Sequence, residues 1–131
     1  MPANPNRTDR PAPREELILI LSSDVIAAAL LGGLVETLGY TVEFARAPES
    51  PDDSLRRVRP RICLVDSGAL VENRGELLGR AMMRGISVII FGAPAALARV
   101  RDTARAHNIE MLLMPTDAST VEAALQRAVT A

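Results

Sequence analysis

A chain of 131 residues is the length of one domain with a core of its own. Nearly half of the residues are apolar, yet no uninterrupted apolar run reaches the ~18 residues that a membrane-spanning helix needs. Fifteen basic side chains against sixteen acidic ones, with Tyr40, Phe44 and Phe91 as the only aromatics, argue against a dedicated nucleic-acid surface or a base-stacking platform.

Met1 to Arg14 is rich in Pro, Asn and Arg and has no apolar signal-peptide core, so residues 1–14 are expected to be a disordered leader to a domain over 15–131. Cys63 is the single cysteine and has no partner for an internal disulfide. This fits a reducing, cytoplasmic setting. Leu17 to Leu21 is a continuous apolar run, as in a parallel strand covered on both faces, and ends at Ser22-Ser23-Asp24. A helix is predicted from Val25 to Leu38, with Ile26, Leu30, Leu34 and Leu38 about a turn apart and Gly39 as its stop. Gly32-Gly33 inside it is costly for a helix and points to close packing or a local weakness. Tyr40 to Phe44 alternates like an edge strand, and a short helix follows from about Asp52 to Arg59 before Pro60.

The third strand is Ile62 to Val65, ending at Asp66. Ser67-Gly68-Ala69 reads as a loop into a helix from roughly Arg74 to Arg84, closed by Gly85. Ile86 to Phe91 is the fourth strand. After Gly92-Ala93, Pro94 opens a helix that runs to about His107. Glu110 to Met114 is the fifth strand, stopped by Pro115, and the last helix begins near Ser119, where Ser119 and Glu122 match a capping box. Five strand–helix units imply a five-stranded parallel, doubly wound α/β sheet, too few for an eight-stranded barrel. In such sheets chemistry collects beyond the carboxyl ends of the strands. That directs attention to Ser22-Ser23-Asp24, Asp66, Gly92-Ala93 and Met114-Pro115.

Those positions carry a resemblance. The segment LILILSSDVIAAALLGGLVETLGYTVEF resembles the first strand, helix and second strand of a response-regulator receiver domain. RPRICLVDSG is similar to the run that ends in that family's phospho-accepting aspartate, VIIFGAP to its fourth strand, and MLLMP to its fifth. The resemblance spans about Glu15 to Val129. It implies a CheY-like, flavodoxin-like fold with strand order 2-1-3-4-5 and places Asp66 at the phospho-acceptor position. The family's acidic, metal-binding pair falls on Ser22 and Ser23. Its Ser/Thr after strand four falls on Gly92, its lysine after strand five on Met114, and its aromatic switch residue on Met111. Magnesium usually needs one or two carboxylates, so weak or absent magnesium binding, and no other cofactor, is expected.

The resemblance therefore implies a pseudo-receiver, not an enzyme. It would be a phosphorylation-independent interaction module with a protein partner in two-component signalling or a phosphorelay, with no nucleic acid and no membrane as partners. It also implies a homodimer through the face of the fourth helix, fifth strand and fifth helix, drawing on Ala96 to His107 and Thr116 to Arg127, with Arg99, Arg101, Asp102 and Glu122 at its rim. The alternatives are a single-domain regulator phosphorylated at Asp66 by an atypical route, and a binder of a small anionic ligand or nucleotide. Asp66 has a plainer reading as the cap of the turn at Ser67-Gly68, and Ser23 or Asp24 as a helix N-cap. Arg56, Arg57, Arg59 and Arg61 read as an anion patch or as a solvated face. His107 is the sole histidine and suits a helix C-terminus. Cys63, mid-strand, reads as a buried inert thiol.

Overall fold

The computed structural model describes residues 16–72 and 76–130, so the expected leader lies outside the described residues. Five parallel strands, β1 (Leu17–Leu21), β2 (Thr41–Phe44), β3 (Ile62–Asp66), β4 (Ser87–Gly92) and β5 (Glu110–Leu113), form one sheet in the order β2-β1-β3-β4-β5. The helices between and after them are α1 (Val25–Thr37), α2 (Pro51–Val58), α3 (Ser67–Glu72), α4 (Glu76–Met83), α5 (Pro94–Ala106) and α6 (Ala118–Thr130).

The continuous apolar runs of β1, β3 and β4 follow from helices on both faces, since alternate residues point to opposite sides. Leu19, Leu21, Cys63, Val65, Val88 and Ile90 pack on one face against α2, α4 and α5. Ile18, Ile20, Leu64, Ile89, Phe91 and Leu112 pack on the other against α1 and α6. Removing this apolar surface from water, at roughly 25 cal/mol per Å2, is the main force holding the layers together.

Local chemistry sets the helix ends. Asp24 caps α1, its Oδ1 accepting from the amides of Ile26 and Ala27 at 3.1 Å each, and Gly39 turns the chain out at φ 95°. Ser50 caps α2 by accepting from the Asp53 amide. At α6 the structure corrects the expected capping box. The helix starts at Ala118, and Asp117 is the cap, accepting from the Thr120 amide at 2.8 Å and from the Ser119 hydroxyl at 2.9 Å. These bonds hold the Asp117 carboxyl below its ordinary range. A second correction concerns Ser67-Gly68-Ala69. This stretch is not a loop but the first turn of α3, which leaves β3 directly at Asp66.

Candidate functional site

The register of the sheet assembles the site. Leu21 pairs with Val65, Asp66 with Phe91, and Gly92 with Leu113, so Ser22, Asp66, Gly92 and Met114 meet at the carboxyl edge. Asp66 is half-buried and each of its carboxylate oxygens accepts a hydrogen bond. Oδ2 accepts from Ser22 Oγ at 2.8 Å, and Oδ1 accepts from the amide of Gly68 at 2.8 Å. The second bond is that of an N-cap residue to the second residue of its helix. Asp66 thus starts α3.

Of the two serines that follow β1, Ser22 reaches Asp66, while Ser23 is exposed. Ser22 Oγ also accepts from the Asp24 amide at 3.1 Å, which turns the chain from β1 into α1. Asp24 Oδ1 is taken up by the amides of Ile26 and Ala27 as the cap of α1. One carboxylate with a single serine hydroxyl beside it is a poor donor set for magnesium, which favours several oxygen ligands, one or two of them carboxylate, in octahedral array. Among the described residues no group of three His, Cys, Asp or Glu side chains is placed to hold a metal ion. The residues present do not fit a magnesium site of the usual kind.

Sequence reasoning missed Ser67. Its side chain is 2% exposed, and its hydroxyl has no hydrogen-bond partner among the described residues. A Cβ built on Gly92 would stand 2.7 Å from Ser67 Oγ. The hydroxyl at this corner is therefore carried by the residue after Asp66, and position 92 is left without a side chain to make room for it. The apposition of positions 67 and 92 follows from strand register and from the immediate start of α3, which no local pattern announces. Met111 and Met114 are half-buried. Met111 packs with the core on one face of the sheet and Met114 with the core on the other, and the Met114 amide donates to Gly92 O at 2.9 Å. Neither brings a cation to Asp66.

The arginines of the second helix diverge. Arg57 grips Glu49 through Nε and Nη2 at 2.6 and 3.0 Å and also reaches Phe44 O, while Arg56 pairs with Asp52. Arg61 donates to Val129 O at 2.8 Å, and Arg59 is exposed. Arg56, Arg57 and Arg61 thus bind separate partners. Asp52 also attracts Arg80 and Arg84. His107 lies exposed at the end of α5 with Nδ1 3.0 Å from Thr103 O. Cys63 is fully buried in β3, and desolvation pushes its thiol far up.

The second feature missed is the outer side of α1. Val25, Ile26 and Leu30 are 78%, 73% and 65% exposed, beside a cavity of about 310 Å3 lined by Ser22, Val25, Ala29 and Phe44 among others. The signal was present in the sequence, since Val25 to Val35 holds no charged or hydrogen-bonding side chain. A helix apolar all round is ordinarily covered all round.

No family model and no curated protein matches the chain. Solved structures do. A response regulator receiver protein from Burkholderia phymatum matches with a TM-score of 0.72 at 18% identity, over 88% of this chain and 96% of that one. The receiver domain of a sensor histidine kinase from Pseudomonas aeruginosa, with magnesium coordinated in its active-site cleft, matches with a TM-score of 0.66 at 20% identity, over 90% of this chain and all of that one. NtrX from Brucella abortus in complex with ADP matches with a TM-score of 0.71 at 17% identity over 89% of this chain, which spans about a quarter (26%) of the NtrX chain. The strand order, the parallel sheet and these neighbours agree: the chain has the receiver fold of response regulators.

Proposed function

We propose that the protein is a pseudo-receiver: a non-enzymatic, cytoplasmic signalling module that docks to protein partners without magnesium-dependent phosphorylation of Asp66. The observation that carries this is the double engagement of the Asp66 carboxylate, by Ser22 Oγ at 2.8 Å and by the Gly68 amide at 2.8 Å. Phosphoryl transfer to a carboxylate needs one oxygen free for in-line attack and nearby cations to neutralise the transferring oxygens. Here the oxygens cap a helix and accept a hydroxyl. The positions that would supply a metal-binding acid pair and a cation hold Ser22, Ser23 and Met114.

The fold supports a docking role more than a chemical one. No described helix is long and apolar enough to cross a membrane. On the α5–β5–α6 face, Leu113 is the one exposed large apolar side chain among the described residues, with Arg99, Arg101 and Asp102 exposed nearby in sequence on α5. That leaves charged contacts to dominate the face on which a homodimer was expected.

The test is treatment with acetyl phosphate and magnesium, read by intact mass, with an amide NMR titration of magnesium followed by beryllofluoride. The expected result is no phosphoryl increment and no localised shifts at Ser22, Asp66, Ser67 or Gly92. A stoichiometric increment that disappears in Asp66→Asn would overturn the reading and establish a phosphorylated regulator.

A further inference from the structure

We propose that the cavity between the carboxyl ends of α2 and α4, at the amino edge of the sheet, binds a small organic carboxylate with a compact apolar body, whose charge Arg59 and Arg84 hold. The site lies at the opposite end of the sheet from Asp66 and is independent of the reading of that residue. The cavity is about 390 Å3 and is lined by Leu55, Arg59, Pro60, Arg84 and Ile86. Leu55, Pro60 and Ile86 are buried and form an apolar floor, while Arg59 and Arg84 are exposed.

Arg59 stands where the backbone favours glycine. Each turn from a helix into the next strand passes through a left-handed residue: Gly39 before β2, Gly85 before β4, Asn108 before β5, and Arg59 before β3 at φ 51°. Glycine suits that conformation and asparagine tolerates it, whereas a longer L side chain is disfavoured. The helix dipole gives no reason for an arginine there, because the last turn of α2 already carries Arg56 and Arg57. The Arg59 side chain makes no hydrogen bond or ion pair among the described residues. A disfavoured position held by an unpaired guanidinium is accounted for by a bond to something outside the chain.

Arg84 adds a second incompletely paired cation. It stands 3.6 Å from Asp52 Oδ1, but Asp52 Oδ2 already pairs with Arg56 at 2.6 Å and Arg80 at 2.8 Å. One carboxylate is thus shared by three guanidinium groups, and among the described residues no acid lines the cavity. A neighbouring cavity of about 510 Å3, which shares Ile86, differs in this respect, since its Arg127 is paired with Glu110 in the same wall.

The lining selects the occupant. Guanidinium forks match the two oxygens of a carboxylate. The floor offers no hydrogen-bonding side chain, which favours an apolar body over a sugar or a nucleotide. The volume is at the low end for ligand sites and suits one ring or a branched chain. So small a ligand binds with a Kd on the order of 1 mM.

An amide NMR titration of the full chain with phenylacetate, at constant ionic strength, tests this. The expected result is saturable shifts localised at Arg59, Arg61, Gly85 and Ile86. Phenylacetamide, which lacks the charge, and acetate, which lacks the apolar body, bind at least about tenfold more weakly. Arg84→Gln weakens phenylacetate binding about tenfold. Arg59→Gly separates function from stability: it weakens binding at least about tenfold and raises Tm by about 3 °C, because glycine relieves the left-handed backbone. Shifts that do not saturate by about 20 mM, a Kd on the order of twenty times the expected one, overturn the proposal. Phenylacetamide binding as tightly as phenylacetate, or Arg59→Gly binding unchanged, overturns it as well. Each of these failures leaves the pseudo-receiver reading standing, since Asp66 takes no part in the site.

Discussion

Adding a methyl group at Gly92 tests the rearranged corner of the site directly. The built Cβ lies 2.7 Å from Ser67 Oγ, well inside van der Waals contact, and an ordinary 3.7 Å from Ala96 Cβ. Ser67 is 2% exposed, so its hydroxyl has no room to swing into solvent. Gly92 is outside the left-handed region, which at glycine is adopted by Gly39 and Gly85, so alanine is conformationally acceptable there and the cost is steric. Overpacking of this kind costs about 2 kcal/mol, or roughly 8 °C in Tm for a domain of this size. Ser67→Ala removes both the clashing atom and a buried hydroxyl without a partner, and is expected to leave stability within about 1 kcal/mol of wild type or to raise it. In that background Gly92→Ala should cost no more than about 0.5 kcal/mol, giving a coupling of about 1.5 kcal/mol. Urea unfolding followed by far-UV circular dichroism measures all four corners, since a chain with no Trp and one Tyr gives little fluorescence to follow. A Gly92→Ala variant as stable as wild type, or an equal loss in both backgrounds, refutes the apposition of positions 67 and 92.

Three further outcomes follow from the same structure. Asp66→Ala removes the cap of α3 and the acceptor for Ser22, at an expected cost of about 1–2 kcal/mol, whereas Asp66→Asn keeps an oxygen for the Gly68 amide and loses less. Equal losses in urea unfolding would detach Asp66 from capping. Arg57, with the Arg46 amide, holds the Glu49 carboxyl at about 2, below the ordinary glutamate value of about 4.3. Its contribution to stability is therefore full above the unfolded value and is lost as pH falls from about 5 toward 2, so Glu49→Gln should flatten the stability–pH profile in that window. An unchanged slope would count against the pairing. Cys63 is fully buried and its thiol is pushed up by desolvation, so a soluble thiol reagent should react only as fast as the domain opens. Rapid labelling of the native protein would show that β3 is accessible.

The order of elements was legible because each strand run and helix stripe is local. The five apolar runs, the stop at Gly39 and Pro94 at the start of α5 all stand within one or two residues of where the pattern put them. What was not legible depended on contacts across the fold. Ser67-Gly68-Ala69 looks like a loop because Ser and Gly favour turns, yet Asp66 can accept from the Gly68 amide and let a helix begin at once. Ser119 looked like a cap because it precedes an apolar stripe, but Asp117 stands two residues earlier with a charged acceptor. The arginines from 56 to 61 cluster in sequence yet take different partners, since α2 ends at Val58 and Arg59 turns the chain at φ 51°. The helical pattern of α1 was plain, whereas its exposed side was not, since the apolar residues run all round it and only packing tells which ones the sheet covers.

The start of α3 ties Asp66, Ser67, Gly92 and Ser22 into one arrangement. A phospho-acceptor and a helix N-cap make opposite demands on the same carboxylate. The first requires an oxygen directed into an open pocket toward cations, and the second requires it turned back on the amides of its own chain. When the helix begins at residue 67, Asp66 Oδ1 is committed to Gly68, Ser67 is carried inward beside β4, and position 92 must give up its side chain. Oδ2, left facing Ser22, accepts a neutral hydroxyl where an acid pair would have repelled it unless a metal stood between them. Serine at position 22 is thus compatible with a lone Asp66 without any cation, and two acids placed there would destabilise the corner until a metal was supplied. Introducing Ser22→Asp and Ser23→Asp together is accordingly expected to lower stability in the absence of magnesium and to recover part of it when magnesium is added. A double variant as stable as wild type in chelator would show that Asp66 is not confined by its neighbours in this way.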